Sequence, residues 1–237
     1  RIQKDQDPIA LWEKHNQELS AHNDWLNRQQ FASLHFKNQK GTDLVVELAE
    51  GHIWEGGCEK SQHGVVFNPN MPTEENFTMP KRTGVQGRVQ ATKPLSYQGK
   101  LIQNFWIEFE QGKAVRWHAE EEEAALASLI EFDEGSAYLG EVALIDVDTP
   151  ISQSGILFYN TLFDENASCH LALGRAYPMN MEGSQDMSEE EMKAKGCNFS
   201  MVHVDFMFGS DDMQITGVHA DGTEVVFFKD GKFCIEA

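Results

Sequence analysis

The amino-acid sequence predicts a single α+β domain in which strands outnumber helices, built on a mixed or antiparallel sheet with several helices. Two observations support this class. Short runs rich in β-branched and aromatic residues recur between glycines, and the Asp-Gly pairs at 221–222 and 230–231 are strong hairpin signals. No fixed-period repeat or linker interrupts the 237 residues, so we expect one domain over residues 1–237.

The first predicted element is a helix. Asp7 suits the N-cap and Pro8 the first helical position, and apolar residues mixed with charged ones continue to about Phe31. We expect this helix to form most of a helical lead-in over residues 1–40.

Strands follow the lead-in. The segment TDLVVEL at residues 42–48 is strand-like. Residues 85–117 contain short β-branched and aromatic runs divided by Gly87, Gly99 and Gly112, which predicts a meander.

Helices then interrupt the strands. Residues 118–132 are predicted to be helical because an acidic run, which suits the positive end of the helix dipole, precedes the apolar segment AALASLI. Residues 160–173 are predicted to form a further helix, and residues 188–195 a short one capped by Ser188. The remaining predicted strands cover residues 141–147, 201–208, 213–218, 225–228 and 233–235.

The charge balance restricts the choice of partners. The chain has 19 Lys and Arg residues against 38 Asp and Glu residues, a formal net charge of −19. Such a charge disfavours non-specific binding to nucleic acid or to an anionic membrane and favours cationic ligands and divalent metals, although an acidic surface is also ordinary in cytosolic proteins. No apolar run approaches the roughly 20 residues needed to span a bilayer. We therefore expect neither a nucleic acid nor a membrane as partner.

Cysteine usage favours a reducing compartment. Cys58, Cys169, Cys197 and Cys234 are widely separated and form no CxxC pair, so neither a disulfide framework nor a cysteine-rich zinc site is indicated. The chain opens RIQKDQDP, without an initiator Met or a targeting leader. We expect a cytoplasmic protein and a chain that is part of a longer one.

The segment MVHVDFMF is the most informative local feature. Alternation along a strand places His203 and Asp205 on the same face, between residues that are otherwise apolar. A buried carboxylate is costly unless it is paired or bound to a metal. The motif alone therefore leaves two interpretations, an ion pair or two metal ligands, and favours the ion pair.

Other polar candidates are individually weak. His170 lies in a predicted helix and could be a hydrogen-bonded core histidine or a ligand; Glu141 opens an apolar strand. Glu75 follows the sequence PTE, and Tyr177 beside Pro178 could be a buried phenol bonded to the backbone. Two His, two Glu and one Asp would suit a pair of divalent ions, but sequence spacing does not show that they converge.

Several enzyme classes lack their motifs. The sequence contains no GxxxxGK[ST], GxGxxG, HExxH or GxSxG pattern. A thiol nucleophile at Cys169 is disfavoured, because adjacent residues on a helix point about 100° apart and His170 would not face it. For four aromatic residues, core packing is favoured over a role in a specificity pocket: Phe77, Phe163, Phe206 and Phe208.

Taken together, the motifs resemble the metallo-aminopeptidases typified by aminopeptidase T, aminopeptidase S and aminopeptidase PepS. The resemblance extends from about Asp7 to the C-terminus, and the chain is similar to the C-terminal catalytic part of these longer proteins. It implies a metallopeptidase catalytic domain, peptide substrates with a free N-terminus and a cytoplasmic homodimer. The motifs that carry it are GTDL, EGHIWEGG, NMPTEENFTMP, GEVALID, ILFYNTLFDENASCHLALG and SMVHVDFMFGS, in that order.

The resemblance also implies a site that holds two divalent metal ions. Its ligands fall at Glu75, Glu141, His170, Tyr177, His203 and Asp205. Glu74 is the main ambiguity because it adjoins Glu75. Glu141 or Glu75 is expected to bridge the ions, His203 and Asp205 to hold one and His170 the other. Glu75 and Tyr177 are also the candidates for a catalytic role.

The expected function is release of single N-terminal residues from peptides. Oxygen and nitrogen ligands without thiolates are compatible with zinc, cobalt, manganese or magnesium. The acidic chain is expected to favour basic first residues. One alternative is a metal-binding but catalytically incomplete portion that needs its missing N-terminal region; another is a structural β-rich interaction domain in which the six residues are unrelated.

Overall fold

Antiparallel strands form most of the regular secondary structure of the molecule, which a computed structural model describes over residues 5–235. The helices within these residues are α1 Pro8–Gln29, α2 Glu123–Ile130, α3 Pro150–Ser154, α4 Thr161–Asp164 and α5 Glu189–Ala194. The strands are β1 Ser33–Lys37, β2 Asp43–Leu48, β3 Glu59–Lys60, β4 Val66–Phe67, β5 Asn76–Thr78, β6 Pro80–Gln90, β7 Leu95–Tyr97, β8 Lys100–Glu110, β9 Lys113–Glu121, β10 Leu139–Leu144, β11 His170–Gly174, β12 His203–Met207, β13 Gln214–Val218, β14 Glu224–Lys229 and β15 Lys232–Phe233. Short 3₁₀ turns cover Glu165–Ala167, Pro178–Asn180 and Ser184–Asp186.

The strands form three sheets. The large sheet has the order β15-β14-β13-β1-β2-β6-β8-β7, with β9 paired to β8. The small sheet has the order β12-β11-β10-β5, and β3 and β4 form a separate hairpin. Every strand pairing is antiparallel, so the α+β prediction is confirmed and the sheets are antiparallel rather than mixed.

The hydrophobic core joins the large sheet to the small one. Phe36 of the large sheet packs edge-on against Phe208, with ring centroids 5.3 Å apart. Phe105 of the large sheet packs against Phe206 of the small one, with centroids 5.7 Å apart. Burial of these rings fixes the small sheet against a rigid support.

Most elements agree with the sequence prediction. The first helix has Asp7 as its N-cap, whose side chain accepts from the Ile9 N–H, and the last short helix has a capping box between Ser188 and Glu191. The Asp221-Gly222 and Asp230-Gly231 pairs connect β13 to β14 and β14 to β15, as predicted.

One predicted helix, over residues 118–132, begins too early, and another, over residues 160–173, is mostly wrong. Residues 118–121 continue strand β9, and Glu122, at φ 58°, turns the chain before the helix begins at Glu123. Residues 160–173 divide into a four-residue helix, a 3₁₀ turn and strand β11. All five residues of β11 are buried, and periodicity cannot distinguish a short, wholly buried apolar strand from a buried helical segment.

Among residues 5–235, none of the helices combines the length and the apolar character that crossing a bilayer requires.

Candidate metal centre

One face of the small sheet carries four of the six predicted ligands. In the strand register, Glu141 on β10 lies beside Ala172 on β11, which lies beside Asp205 on β12. His170 lies beside Ala143, and His203 lies beside Gly174. Because facing residues in a sheet share a side, these carboxylates and imidazoles project together, separated by small residues that leave room above the sheet.

The opposite face of the same strands is apolar. Its residues belong to the buried core: Val142, Leu144, Leu171, Leu173 and Phe206. Alternation with a period of two thus divides each strand into a ligand side and a core side. Core packing holds the backbone that carries the ligands.

Two overlapping groups of donor atoms result. Glu75, Glu141 and His170 offer atoms that all lie within 4.8 Å of one another, and Glu141, His203 and Asp205 do the same. The Nε2 atom of His170 lies 3.1 Å from Glu75 Oε2 and 3.4 Å from Glu141 Oε1. The Nε2 atom of His203 lies 3.4 Å from Asp205 Oδ1 and 3.6 Å from Glu141 Oε2. Glu141 therefore belongs to both groups, one oxygen directed to each.

Backbone carbonyls orient both imidazoles. His203 Nδ1 lies 2.7 Å from the Arg175 carbonyl, and His170 Nδ1 lies 3.2 Å from the Ser168 carbonyl. A ring nitrogen that faces a carbonyl must carry the proton and donate it, so in the neutral ring Nε2 keeps its lone pair. Both Nε2 lone pairs are thereby directed to the carboxylates, the arrangement in which histidine binds metals.

The buried polar atoms of the cluster fit a divalent ion. Glu75, Glu141 and Asp205 are each 5–7% exposed. Glu75 Oε2, His170 Nε2 and Asp205 Oδ1 are buried, and among the described residues only ion-pair contacts within the cluster, at 3.1–3.4 Å, reach them. Buried polar atoms with so few partners are costly, and a metal would satisfy them. The oxygen and nitrogen donors suit zinc, cobalt, manganese or magnesium.

Proximity of the groups shifts their pKa values. Burial opposes the charged form of His203, but its hydrogen bond to Asp205 and the nearby negative charges outweigh burial and raise its pKa to about 9. The pKa of His170 likewise lies well above its usual range, because Glu141 and Glu75 outweigh burial. Burial raises the pKa of Glu141 to about 6, whereas His203 outweighs burial and lowers the pKa of Asp205. The cluster thus holds protons that a cation would displace.

Tyr177 lies at the mouth of the cluster. Its ring packs on the His203 ring, with centroids 4.5 Å apart. Burial first, and then the charges of Glu141 and Asp205, raise the phenol pKa to about 12. The side chain is 39% exposed, so the interpretation as a buried phenol bonded to the backbone is wrong. The phenol keeps its proton at neutral pH and is available as a hydrogen-bond donor.

Glu165 belongs to the same cavity and was missed by the sequence analysis. Glu165 and Asp205 both line this cavity. Burial and then the Asp205 charge raise the pKa of Glu165 to about 9. Glu165 lies in the polar segment that precedes His170, but no local pattern distinguishes it from neighbouring Asp164, whose carboxylate accepts from the backbone N–H groups of Phe158 and Asn160.

A cavity of about 230 Å³ connects these groups to the surface. Gly56, at φ 146°, forms part of its wall, and a Cβ atom there would lie 2.1 Å from the Glu75 carbonyl oxygen. Only glycine permits this close approach. The other residues that line the cavity beyond the donor cluster include Glu55, Cys58, Glu59, Pro69, Asn70, Thr73, Phe77 and Met179.

The structure also shows where Glu74, His170 and Cys169 lie relative to the donor cluster. Glu74 faces a different cavity and lies 3.6 Å from His15, so Glu75 is the glutamate of the cluster. His170 lies on a strand rather than on a helix. Burial raises the pKa of the adjacent Cys169 thiol to about 12, which argues against a nucleophilic role.

The four aromatic residues separate into three environments. Phe206 and Phe208 are core residues, as favoured. Phe77 lines the cavity and does not pack in the core, contrary to the sequence prediction. Phe163 is 36% exposed and packs against Phe158, so it lies at the surface rather than in the core. The core expectation is thus wrong for Phe77 and Phe163.

Comparison with known proteins identifies the family of the chain. The family described as thermophilic metalloprotease (M29) matches residues 1–233. Aminopeptidase AmpS of Bacillus subtilis is 51% identical over 98% of this chain, and aminopeptidase T of Thermus aquaticus is 47% identical over 97%. Both are covered over 56% of their own length, so the chain spans a little over half of these relatives.

Solved structures give the same result. Wild-type AmpT from Thermus thermophilus superposes with a TM-score of 0.91 at 46% identity, over 96% of this chain and 56% of that one. A 2,5-dihydroxypyridine dioxygenase from Pseudomonas putida, at 15% identity and a TM-score of 0.59, shares the fold alone. The resemblance to the metallo-aminopeptidases is therefore confirmed, and the chain belongs to the M29 family of metalloproteases.

Proposed function

We propose that this chain holds the metal centre of an aminopeptidase, which releases single N-terminal residues from peptides with a co-catalytic pair of divalent ions. The observation that supports this best is the shared carboxylate: Glu141 directs one oxygen to each of two donor groups. A carboxylate between two adjacent sites is typical of two-metal hydrolases.

Each of the two donor groups would hold one ion. Glu75 and His170 would hold one ion, His203 and Asp205 the other, and Glu141 would bridge them. Tyr177 would either complete a ligand set or donate from its phenol O–H. Such ions, when bound, polarise a scissile carbonyl and lower the pKa of an attacking water. The donor set fits zinc, cobalt, manganese or magnesium.

Side chains of the cavity can accept and donate the protons that hydrolysis transfers. Glu165 lines the cavity together with Asp205. Bound cations favour the ionised form of its carboxyl group, and a carboxylate oxygen there can accept the proton of the attacking water and return it to the leaving amine. Glu75 is the alternative group for this role. The Tyr177 hydroxyl can donate to the oxygen that becomes negatively charged in the tetrahedral state.

Exopeptidase action follows from the charge of the cavity. A free N-terminal ammonium group is attracted by the carboxylates of the site, whereas an internal peptide bond brings no such charge. The substrate class is therefore peptides with a free N-terminus. We place neither nucleic acids nor membranes among the partners.

Hydrolysis assays test the proposal. The chain is assayed with amino-acid p-nitroanilides and short peptides, after chelation and after addition of zinc, cobalt, manganese or magnesium. Release of the N-terminal residue that chelator abolishes and metal restores is the expected result. Activity that is indifferent to chelator, or cleavage within the peptide, would contradict it.

A second candidate is a portion that binds metal but is catalytically incomplete. The chain spans 56% of the length of its relatives, which favours this possibility. Binding of two ions per chain without hydrolysis identifies it. Binding of no metal would support the third interpretation, a β-rich interaction domain, against which the convergence of the donor atoms argues.

We also propose a cytoplasmic homodimer. The family resemblance and the four cysteines without a disulfide support this assignment. Sedimentation of the purified chain measures the oligomeric state, and a monomer at micromolar concentration would contradict it.

A further inference from the structure

Glu75 differs from the ligands on the small sheet because it lies just outside a strand. Strand β5 begins at Asn76, and its pairing with β10 ends at the same residue, opposite Leu144. Strand register therefore does not fix the backbone of residues 73–75. A ligand must nevertheless be held to within about 0.5 Å of its working position, so other contacts have to direct the Glu75 carboxylate.

Asn166, in the 3₁₀ turn that leads to His170, holds this segment from one side. Its Oδ1 atom accepts from the Glu74 N–H at 2.7 Å, and its Nδ2 atom donates to the Leu162 carbonyl at 2.8 Å. The side chain is 1% exposed, so both hydrogen bonds are shielded from water and costly to break. Asn166 thereby ties the segment that carries Glu75 to the one that carries His170.

Asn23, on helix α1, holds the segment from the other side. Its Oδ1 atom accepts from Asn76 Nδ2 at 2.7 Å, and its own Nδ2 atom donates to the Gly56 carbonyl at 3.2 Å. Asn76 Nδ2 also donates to the Leu19 carbonyl at 2.9 Å. Gly56 passes close to the Glu75 carbonyl, where a Cβ atom would not fit. Asn23 therefore fixes both the residue that follows Glu75 and the wall against which its backbone packs.

His15 adds a third contact to the same segment. Its Nε2 atom lies 2.6 Å from the Thr73 carbonyl, to which a ring N–H donates, and the residue is buried. His15, Leu19 and Asn23 recur at every fourth position, so they lie on one face of α1. This face of the helix is thus built to bind the backbone around residues 73–76.

We propose that Asn23 and Asn166 are positioning residues for Glu75, an inference that rests on the proposed aminopeptidase function. Neither asparagine belongs to the donor groups of the metal centre. Each acts through the backbone of residues 73–76 and keeps Glu75 Oε2 within 3.1 Å of His170 Nε2. Loss of either asparagine frees the carboxylate to turn away, which weakens the group of donors that contains Glu75 and His170.

Cobalt titration of the chain tests this inference. Binding is followed by metal analysis and by the visible absorption of Co²⁺, which depends on its ligands and geometry. Asn23→Ala and Asn166→Ala should each weaken binding of one ion about tenfold, the usual effect of removing a residue that orients a ligand. The absorption change should match that of Glu75→Gln and differ from that of His203→Ala. A general loss of stability would not produce this match.

Asn27→Ala is the matched control. Asn27 lies one turn further along α1, where its Oδ1 accepts from the Trp54 N–H at 2.8 Å and its Nδ2 donates to the Trp54 carbonyl at 3.0 Å. The variant therefore loses two hydrogen bonds of the same helix without touching residues 73–76. Denaturant titration should show a lower free energy of unfolding, while cobalt binding should be unchanged.

Two results would overturn the inference. One is unchanged cobalt binding in both Asn23→Ala and Asn166→Ala, and the other is an equal loss of cobalt affinity in Asn27→Ala. The two asparagines lie on different elements, so Asn166→Ala decides the test if Asn23→Ala does not fold. A wild-type chain that binds no cobalt contradicts both the inference and the proposed function. The proposed function alone fails if the cobalt results are as expected but no p-nitroanilide is hydrolysed.

Discussion

Glu74 and Glu75 are consecutive in the chain but face different cavities. Glu75 Oε2 lies 3.1 Å from His170 in the metal centre, whereas Glu74 Oε2 lies 3.6 Å from His15 near the first helix. Extended backbone sends neighbouring side chains to opposite sides, so one of two identical residues reaches the donor cluster.

This pair gives a matched test of the metal centre. Glu75→Gln should lower the metal content by at least one ion per chain, because an amide is a weaker ligand than a carboxylate. Glu74→Gln should leave the metal content unchanged. Metal analysis after dialysis measures both. Equal loss in the two variants would mean that Glu75 is not a ligand.

His203→Ala should abolish turnover and weaken metal binding. The substitution removes the Nε2 atom that lies between Glu141 and Asp205 and leaves both carboxylates without their cationic neighbour. We expect a loss of at least a hundredfold in kcat. Unchanged activity in this variant would refute the assignment, and His118→Ala, at an exposed histidine on β9, is the control.

Metal binding should release protons from the chain. With its pKa raised to about 9, His203 is protonated at pH 7 in the absence of metal, and Glu165, also at about 9, is neutral. Ligation requires the Nε2 lone pair, and cations favour ionised carboxyl groups. We therefore expect release of at least one proton per chain at pH 7 and metal affinity that rises with pH up to about 9. Calorimetry in two buffers of different ionisation enthalpy measures the release, and identical heats would contradict it.

Alkylation of Cys58 should block the cavity. Cys58 is exposed and lines it, whereas Cys169 and Cys197 are buried, and burial raises the pKa of their thiols to about 12 and 11. A bulky maleimide should lower kcat/KM at least tenfold in the wild-type chain and leave Cys58→Ala active. Cys234→Ala, which removes the other exposed thiol, should remain sensitive. Inactivation of the Cys58→Ala variant would place the reactive site elsewhere.

Gly56→Ala should disturb the metal centre more than Gly99→Ala does. Both glycines have positive φ, at 146° and 75°, but only at Gly56 would the new methyl group meet a neighbour, the Glu75 carbonyl at 2.1 Å. The Gly99 variant should lose about 1–2 kcal/mol of unfolding free energy from backbone strain alone. The Gly56 variant should lose more, together with metal affinity. Denaturant titration and metal analysis test this, and equal effects would show that the close approach is unimportant.

Asp133→Asn should destabilise the chain at neutral pH and not in acid. Asp133 accepts from the backbone N–H groups of Gly135 and Met201 and from the Ser200 hydroxyl. Burial opposes its charge, but these hydrogen bonds outweigh burial and lower its pKa. Its stabilising contribution is thus present above the unfolded pKa near 4 and lost as the pH falls through the lower folded value. We expect a cost of about 1–2 kcal/mol at pH 7 that disappears in acid. Asp211→Asn, at an exposed site, should show no such change.

Local sequence patterns were enough to predict features that lie within a single helix, strand or hairpin. The cap at Asp7, the capping box at Ser188 and the Asp-Gly hairpins depend on backbone groups a few residues away, so they could be predicted. The same holds for His203 and Asp205, because a period of two places them on one face whatever the surrounding fold. The family motifs added Glu75, Glu141, His170 and Tyr177.

Tertiary structure alone decided how those residues meet. Strand register, set by burial of the opposite apolar face, places Glu141 and Asp205 on either side of Ala172, although they are distant in sequence, so that their carboxylates meet above this small residue. The strand at His170 was mistaken for a helix, since a wholly buried apolar segment has no periodic signal. Glu165 was not predicted for a related reason: its place in the cavity arises from burial and from neighbours on other elements, which no local pattern encodes.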